Sequence, residues 1–159
     1  KKNGLCVISS ISRRNDLFSL AISIANSNPS TPIFYKLRPE EYDSYKKIDI
    51  YDQVVPSNLK FLLNQDIYTI INKCKYVLGI NSTMLFEAAC FGCKILVLNV
   101  GFYQEMNLLI AHNNAKIIDR NDLVDLDSKD DLETINKEKY YSESINSDDL
   151  CKSILDFIN

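Results

Sequence analysis

The chain has 159 residues, 46% of them hydrophobic and 25% charged, which suits one soluble globular domain with its own core. Lys and Arg number 18 against 21 Asp and Glu, a net charge of −3, and so mild an acidity argues against bulk nucleic-acid binding, which depends on neutralising phosphates. No apolar run approaches the ~18–20 residues of a membrane helix, and no secretory signal pattern stands at the start.

Residues 5–9 read as a buried strand. A helix over 13–27 follows, with Ser12 as N-cap and Leu17, Leu20, Ala21 and Ile24 on one stripe. Pro29 and Pro32 punctuate its exit, and residues 32–37 form a second strand ending at Arg38-Pro39. A short strand is predicted within 48–55 and a helix over 65–74. Residues 76–80 form a strong strand that runs straight into Asn81-Ser82-Thr83 and then a helix through Phe91. Gly92 suits the C′ position of that helix, and 94–100 is the next strand. Gly101 opens a loop into a helix over 103–113, followed by a strand at 115–119. Residues 121–131 are polar loop and weak helix, and 147–158 close the chain as a helix capped by Ser147. Strands that are continuous apolar runs, alternating with helices, predict an α/β fold: a Rossmann-like, mostly parallel sheet with helices on both faces. The whole chain, 1–159, reads as one such domain, and its opening Lys1-Lys2-Asn3-Gly4, without Met, suggests a piece of a longer protein.

The five cysteines, Cys6, Cys74, Cys90, Cys93 and Cys151, lie in apolar surroundings and read as reduced thiols of a cytoplasmic protein. Cys90 and Cys93 form a CxxC at a helix end, whereas a redox pair favours a helix start, where the dipole stabilises a thiolate. Packing is the reading for both. His112 is the only histidine and is assigned to a helix surface. Asp125-Leu126-Asp127 resembles a metal-binding Asp-x-Asp but sits in a solvated acidic stretch, so no metal is expected.

In an open parallel sheet, ligands bind beyond the carboxyl ends of the strands. The strongest candidate there is the segment 79–92. Asn81, Ser82 and Thr83 stand where a strand passes into a helix, and unpaired N–H groups and the dipole make a helix start receptive to phosphate. Glu87 is the one charge in an otherwise apolar helix and needs a partner. It lies four residues after Thr83, on the same face, where its carboxylate can accept from a ribose diol. Lys36 and Arg38 are two apart and share a face at the end of the second strand, and Arg38 can fork onto phosphate oxygens. Weaker candidates are Ser9 and Ser10, with Arg13 and Arg14 after the first strand, and Gly101, Tyr103 and Gln104 after the strand at 94–100.

Together, Lys36-x-Arg38-Pro39-x-Glu41 and Gly79-x-x-Ser82-Thr83-x-x-x-Glu87-Ala88 resemble the C-terminal, donor-binding domain of GT-B glycosyltransferases. Bacterial capsule and lipopolysaccharide transferases, sialyl- and polysialyltransferases among them, are the nearest in pattern. Similar Ser/Thr-helix-acid segments occur in the peptidoglycan GlcNAc transferase and in UDP-GlcNAc 2-epimerase. The resemblance spans roughly residues 5–120. It implies that a nucleotide-sugar such as a CMP- or UDP-sugar is bound as substrate, with no cofactor and no metal. It also implies that a missing N-terminal domain holds the acceptor, so that the isolated domain is inactive. Nothing in the pattern names a catalytic residue. A place at the inner face of the membrane, reached through the parent protein, is compatible with the resemblance. One departure stands out: those sialyltransferase-like patterns carry His before Pro, and this chain has Arg38, which can meet a phosphate charge but cannot donate a proton near neutral pH. The competing reading is a non-catalytic nucleotide-binding or regulatory α/β domain. A GxGxxG after a strand, the mark of dinucleotide binding, is absent.

Overall fold

The computed structural model describes residues 2–43, 45–47, 54–101, 103–111 and 113–127. Six strands form one parallel sheet: β1 (Leu5–Ile8), β2 (Ile33–Lys36), β3 (Leu59–Leu62), β4 (Tyr76–Gly79), β5 (Lys94–Leu98) and β6 (Ala115–Ile118). Their spatial order is β3-β2-β1-β4-β5-β6, and every pairing is parallel. The chain winds outward from β1 to β3, returns to β4 beside β1, and winds outward again. The reversal between β1 and β4 opens a crevice at their carboxyl ends, the usual place for a ligand in such sheets. The predicted α/β, Rossmann-like fold is the one observed.

Side chains alternate across the sheet and divide the core in two. On one face, Leu5, Val7, Ile33, Tyr35, Leu78, Leu96 and Leu98 pack under helix α1 (Arg14–Ser27) through its buried Leu17, Phe18, Leu20, Ala21 and Ile24. On the other, Cys6, Val77, Ile95, Val97 and Ala115 meet three short helices, α2 (Ile67–Ile71), α3 (Met84–Cys90) and α4 (Asn107–Ala111). Cys6, Cys74 and Cys93 are buried free thiols within this second layer, and Cys90 is half-buried. Burial pushes the Cys74 thiol up to about 12, as expected where the thiolate is poorly solvated.

Helix ends follow local chemistry. Asp66 caps α2 by accepting from the backbone N–H of Tyr68 and Thr69 at 3.1 and 2.9 Å, so the helix starts two residues later than predicted. Gly92, at φ +72°, ends α3. Its N–H donates to the Ala89 carbonyl at 2.8 Å and that of Cys93 to Ala88 at 3.1 Å, the paired bonds of a Schellman end. Gly79 serves packing: a Cβ there would meet Leu85 Cδ2 at 3.1 Å, so its absence lets α3 settle against the end of β4.

One observed strand stands outside the predicted ones. Of 48–55, residues 48–53 lie outside the described residues, and Val54 and Val55 belong to no strand. The third described strand is Leu59–Leu62, at the sheet edge with Lys60 exposed. Four residues interrupted by a lysine make a weak apolar run, and such charges are favoured on edge strands because they discourage pairing with other chains. The position of β3 is fixed from outside by Asn58, whose amide donates to the carbonyls of Ala25, Asn28 and Thr31 at 2.9–3.1 Å. The helix predicted over 103–113 divides into a 3-10 turn, Gln104–Met106, and α4. His112 and the closing helix at 147–158 lie outside the described residues.

Candidate functional site

Two clefts flank the crevice. The first, of about 230 Å³, is lined by Ile8, Lys36, Leu37, Arg38, Pro39, Glu40, Ile67, Ser82 and Met84. It gathers the ends of β1 and β2 and the starts of α2 and α3, with apolar walls and two cations. The second, of about 290 Å³, is lined by Ser10, Ser12, Arg13, Ile80, Asn81 and Val100. Lys36, Arg38 and Ser82 thus meet in one cleft, and Ser10 and Asn81 in the other.

Each side chain is held differently. Lys36 donates from Nζ to the Tyr42 hydroxyl and to the Leu63 carbonyl, which commits two of its three donors inward. Arg38 is exposed. Its Nε donates to the Ser9 carbonyl at 3.1 Å, tying the end of β2 to that of β1 and leaving the outer nitrogens to the cleft. The turn beneath it is fixed by Glu41, 1% exposed, which accepts the Arg38 backbone N–H at 3.0 Å. Ser9 is also buried, and its hydroxyl has no hydrogen-bond partner among the described residues. A buried hydroxyl without a partner costs about 1–3 kcal/mol.

Ser82 Oγ accepts the Met84 N–H at 3.3 Å, while the Leu85 and Phe86 N–H groups donate to the carbonyls of Ser82 and Thr83. The start of α3 is therefore largely satisfied internally, and with only seven residues it carries a smaller dipole effect than a full-length helix. The exposed Thr83 makes no side-chain cap bond. Ser82 keeps its own O–H for donation.

Glu87 is half-buried one turn below. Among the described residues its carboxylate has a single hydrogen-bond partner, the Tyr68 hydroxyl, 2.8 Å from Oε2. Among the described residues no cation forms an ion pair with it. Tyr68 stands beside Ile67 and Glu87 three residues after Met84, and both Ile67 and Met84 line the first cleft. Burial, then the bond to Glu87, raises the Tyr68 phenol to about 12, so it remains a donor throughout the physiological range.

Gly101, Tyr103 and Gln104 line neither cleft. Gly101, at φ +81°, makes the turn after β5, Gln104 Nε2 lies 3.5 Å from the Gly101 carbonyl, and Tyr103 packs on the α2–α3–α4 layer. Asp125 Oδ1 accepts the Asp127 N–H at 2.9 Å, a local turn that presses Leu126 into the core. Sequence reading missed Tyr68 together with the apolar wall Ile8, Ile67 and Met84. The handedness of parallel crossovers holds the signal: it carries α2 to the face shared with α3, beside β4.

No protein-family model matches the sequence, and no curated protein does. Solved structures do. UDP-GlcNAc 2-epimerase from Methanocaldococcus jannaschii, in complex with UDP-GlcNAc and UDP, matches with TM-score 0.58 and 11% identity over 100% of this chain and 39% of its own. The epimerase from Neisseria meningitidis, bound to UDP-GlcNAc, gives 0.54 and 15% over 99% and 36%. The glycosyltransferase SnogD from Streptomyces nogalater gives 0.55 and 9% over 76% and 32%. This chain has the Rossmann-like fold of one half of a GT-B protein. It spans about a third of the length of those structures. Among the described residues, no helix is long and apolar enough to cross a membrane.

Proposed function

We propose that this chain is the nucleotide-sugar-binding half of a GT-B glycosyltransferase, holding the donor at the carboxyl edge of the sheet across the β1–β4 crevice. One observation carries this reading: Glu87, a half-buried carboxylate with no ion pair among the described residues, follows by three residues Met84, which lines a cleft with Lys36, Arg38, Glu40 and apolar walls. A half-buried carboxylate with open acceptor positions is better satisfied where a ligand supplies donors. A ribose diol does so, and the apolar wall of Ile8, Pro39, Ile67 and Met84 suits the faces of a base. Arg38, Arg13 and the hydroxyls of Ser82 and Ser10 meet phosphate oxygens without a metal. The solved relatives bound to UDP-GlcNAc support the ligand class.

The motifs at Lys36–Glu41 and Gly79–Ala88 favour a transferase of bacterial surface-polysaccharide synthesis, of the sialyl- or polysialyltransferase kind, working on the cytoplasmic side. A separate N-terminal domain supplies the acceptor site. With Arg38 in place of His, proton donation to the leaving group at this position is assigned to no residue of the chain.

The test is a titration of CMP, CDP, UDP and GDP followed by melting temperature, with and without chelator. A preferred nucleotide raises the melting point by mass action, and chelator leaves the rise intact. Glu87→Gln retains an acceptor for Tyr68 but loses the charge, and weakens that nucleotide about tenfold or more, the loss of a charge-assisted hydrogen bond. If millimolar amounts of all four leave the melting point unmoved, the donor reading is wrong.

A further inference from the structure

Among the described residues Glu87 is held by one group, and that group is neutral. The Tyr68 hydroxyl takes Oε2 at 2.8 Å, while Oε1 has no partner among the described residues. A carboxylate has about four acceptor positions, so one phenol leaves most of them open. Lys or Arg in the same place would have neutralised the charge and filled more than one position. Tyr68 is itself held: its ring lies 5.9 Å from that of Phe91, and its neighbours Ile67 and Ile70 pack on the sheet. Asp66 fixes the turn that carries it.

We infer that Tyr68 is a positioning residue for nucleotide binding, orienting Glu87 through Oε2 so that Oε1 is presented to the 2′- and 3′-hydroxyls of the ribose. This rests on the donor-binding reading above. A rigid acceptor loses less rotamer entropy on binding than a mobile Glu side chain, and a neutral donor achieves this without weakening the acceptor. Tyr68 touches no ligand in this account. Its effect passes entirely through Glu87, and that separates it from a residue that merely joins α2 to α3.

The experiment compares UDP and CDP with their 2′,3′-dideoxy forms on the wild-type chain and on Tyr68→Phe. The wild type prefers the ribonucleotide. Tyr68→Phe weakens the ribonucleotide about five- to tenfold, the range of one lost hydrogen bond, and leaves the dideoxy form unchanged, so the preference collapses. In a Glu87→Gln background, Tyr68→Phe has a much smaller effect. Phe91→Leu removes the supporting ring but no polar group; it lowers the same preference by a smaller factor and decides the matter should Tyr68→Phe not fold. If the wild type shows the preference and Tyr68→Phe weakens both forms equally, or neither, Tyr68 is structural and the donor reading stands. If the wild type shows no preference, the ribose assignment of Glu87 fails and takes this inference with it.

Discussion

The two faces of the sheet are covered in opposite ways. Among the described residues, one lies under a single helix of 14 residues, α1, whose Phe18 stacks on Phe61 at 5.5 Å and meets Tyr35 edge-on at 5.2 Å. The other lies under three helices of five to seven residues, with thiols and alanines beneath them. A long amphipathic helix buries one continuous stripe and ends once. Three short helices bring repeated starts to the carboxyl edge of the sheet, and with them Asp66, Ser82, Glu87 and Tyr68. The first face provides stability, and on the proposed donor-binding reading the second provides groups for a ligand. The division is not strict, because α1 also starts beside the second cleft through Arg13 and Ser12.

This contrast can be broken at its strongest point. Phe18→Ala removes the centre of the α1 face and costs about 3–5 kcal/mol, the usual range for a buried aromatic; denaturant unfolding measures it. Nucleotide affinity of the folded fraction is retained, since no group of the site is touched. A comparable loss of affinity at constant fold would mean that the faces are not separable. Asp66→Asn gives the smallest effect and sharpens the other side. Thr69 holds the Asp66 carboxyl below its ordinary value through side-chain and backbone hydrogen bonds. A lowered carboxyl stabilises the fold above the unfolded value, ~3.9, and that contribution fades as pH falls through the lower folded value. Asn caps nearly as well but does not titrate. The melting-temperature advantage of wild type over Asp66→Asn is therefore small at pH 7 and shrinks below about pH 4. An advantage that grows on acidification would contradict the cap.

Much of this was legible in the sequence because the physics is local. The stripe of Leu17, Leu20, Ala21 and Ile24 announces α1, and the apolar runs at 5–8, 76–79 and 94–98 announce buried parallel strands. Gly92 closes α3 because a left-handed residue is needed there. What was not legible depends on contacts far apart in the chain. The edge strand β3 is four residues with a lysine inside, located by Asn58 reaching back to the end of α1. The Tyr68–Glu87 bond joins two helices through a crossover that no periodicity encodes. Lys36 was read as sharing a face with Arg38 at a strand end, but its commitment to Tyr42 and Leu63 becomes visible only once β2 and β3 are paired. Gly101, Tyr103 and Gln104 were chosen because they follow a strand; like Thr83 and Glu87 they do not line the two clefts, although Val100 beside Gly101 does.

The most direct measurement is a crystal structure of the chain with UDP or CDP bound. The account predicts a ribose whose hydroxyls stand about 2.5–3.0 Å from the Glu87 carboxylate, with the base along Ile67 and Met84 and Tyr68 still on Oε2. A nucleotide seated elsewhere on the sheet, with Glu87 bonded to Tyr68 alone, would contradict it.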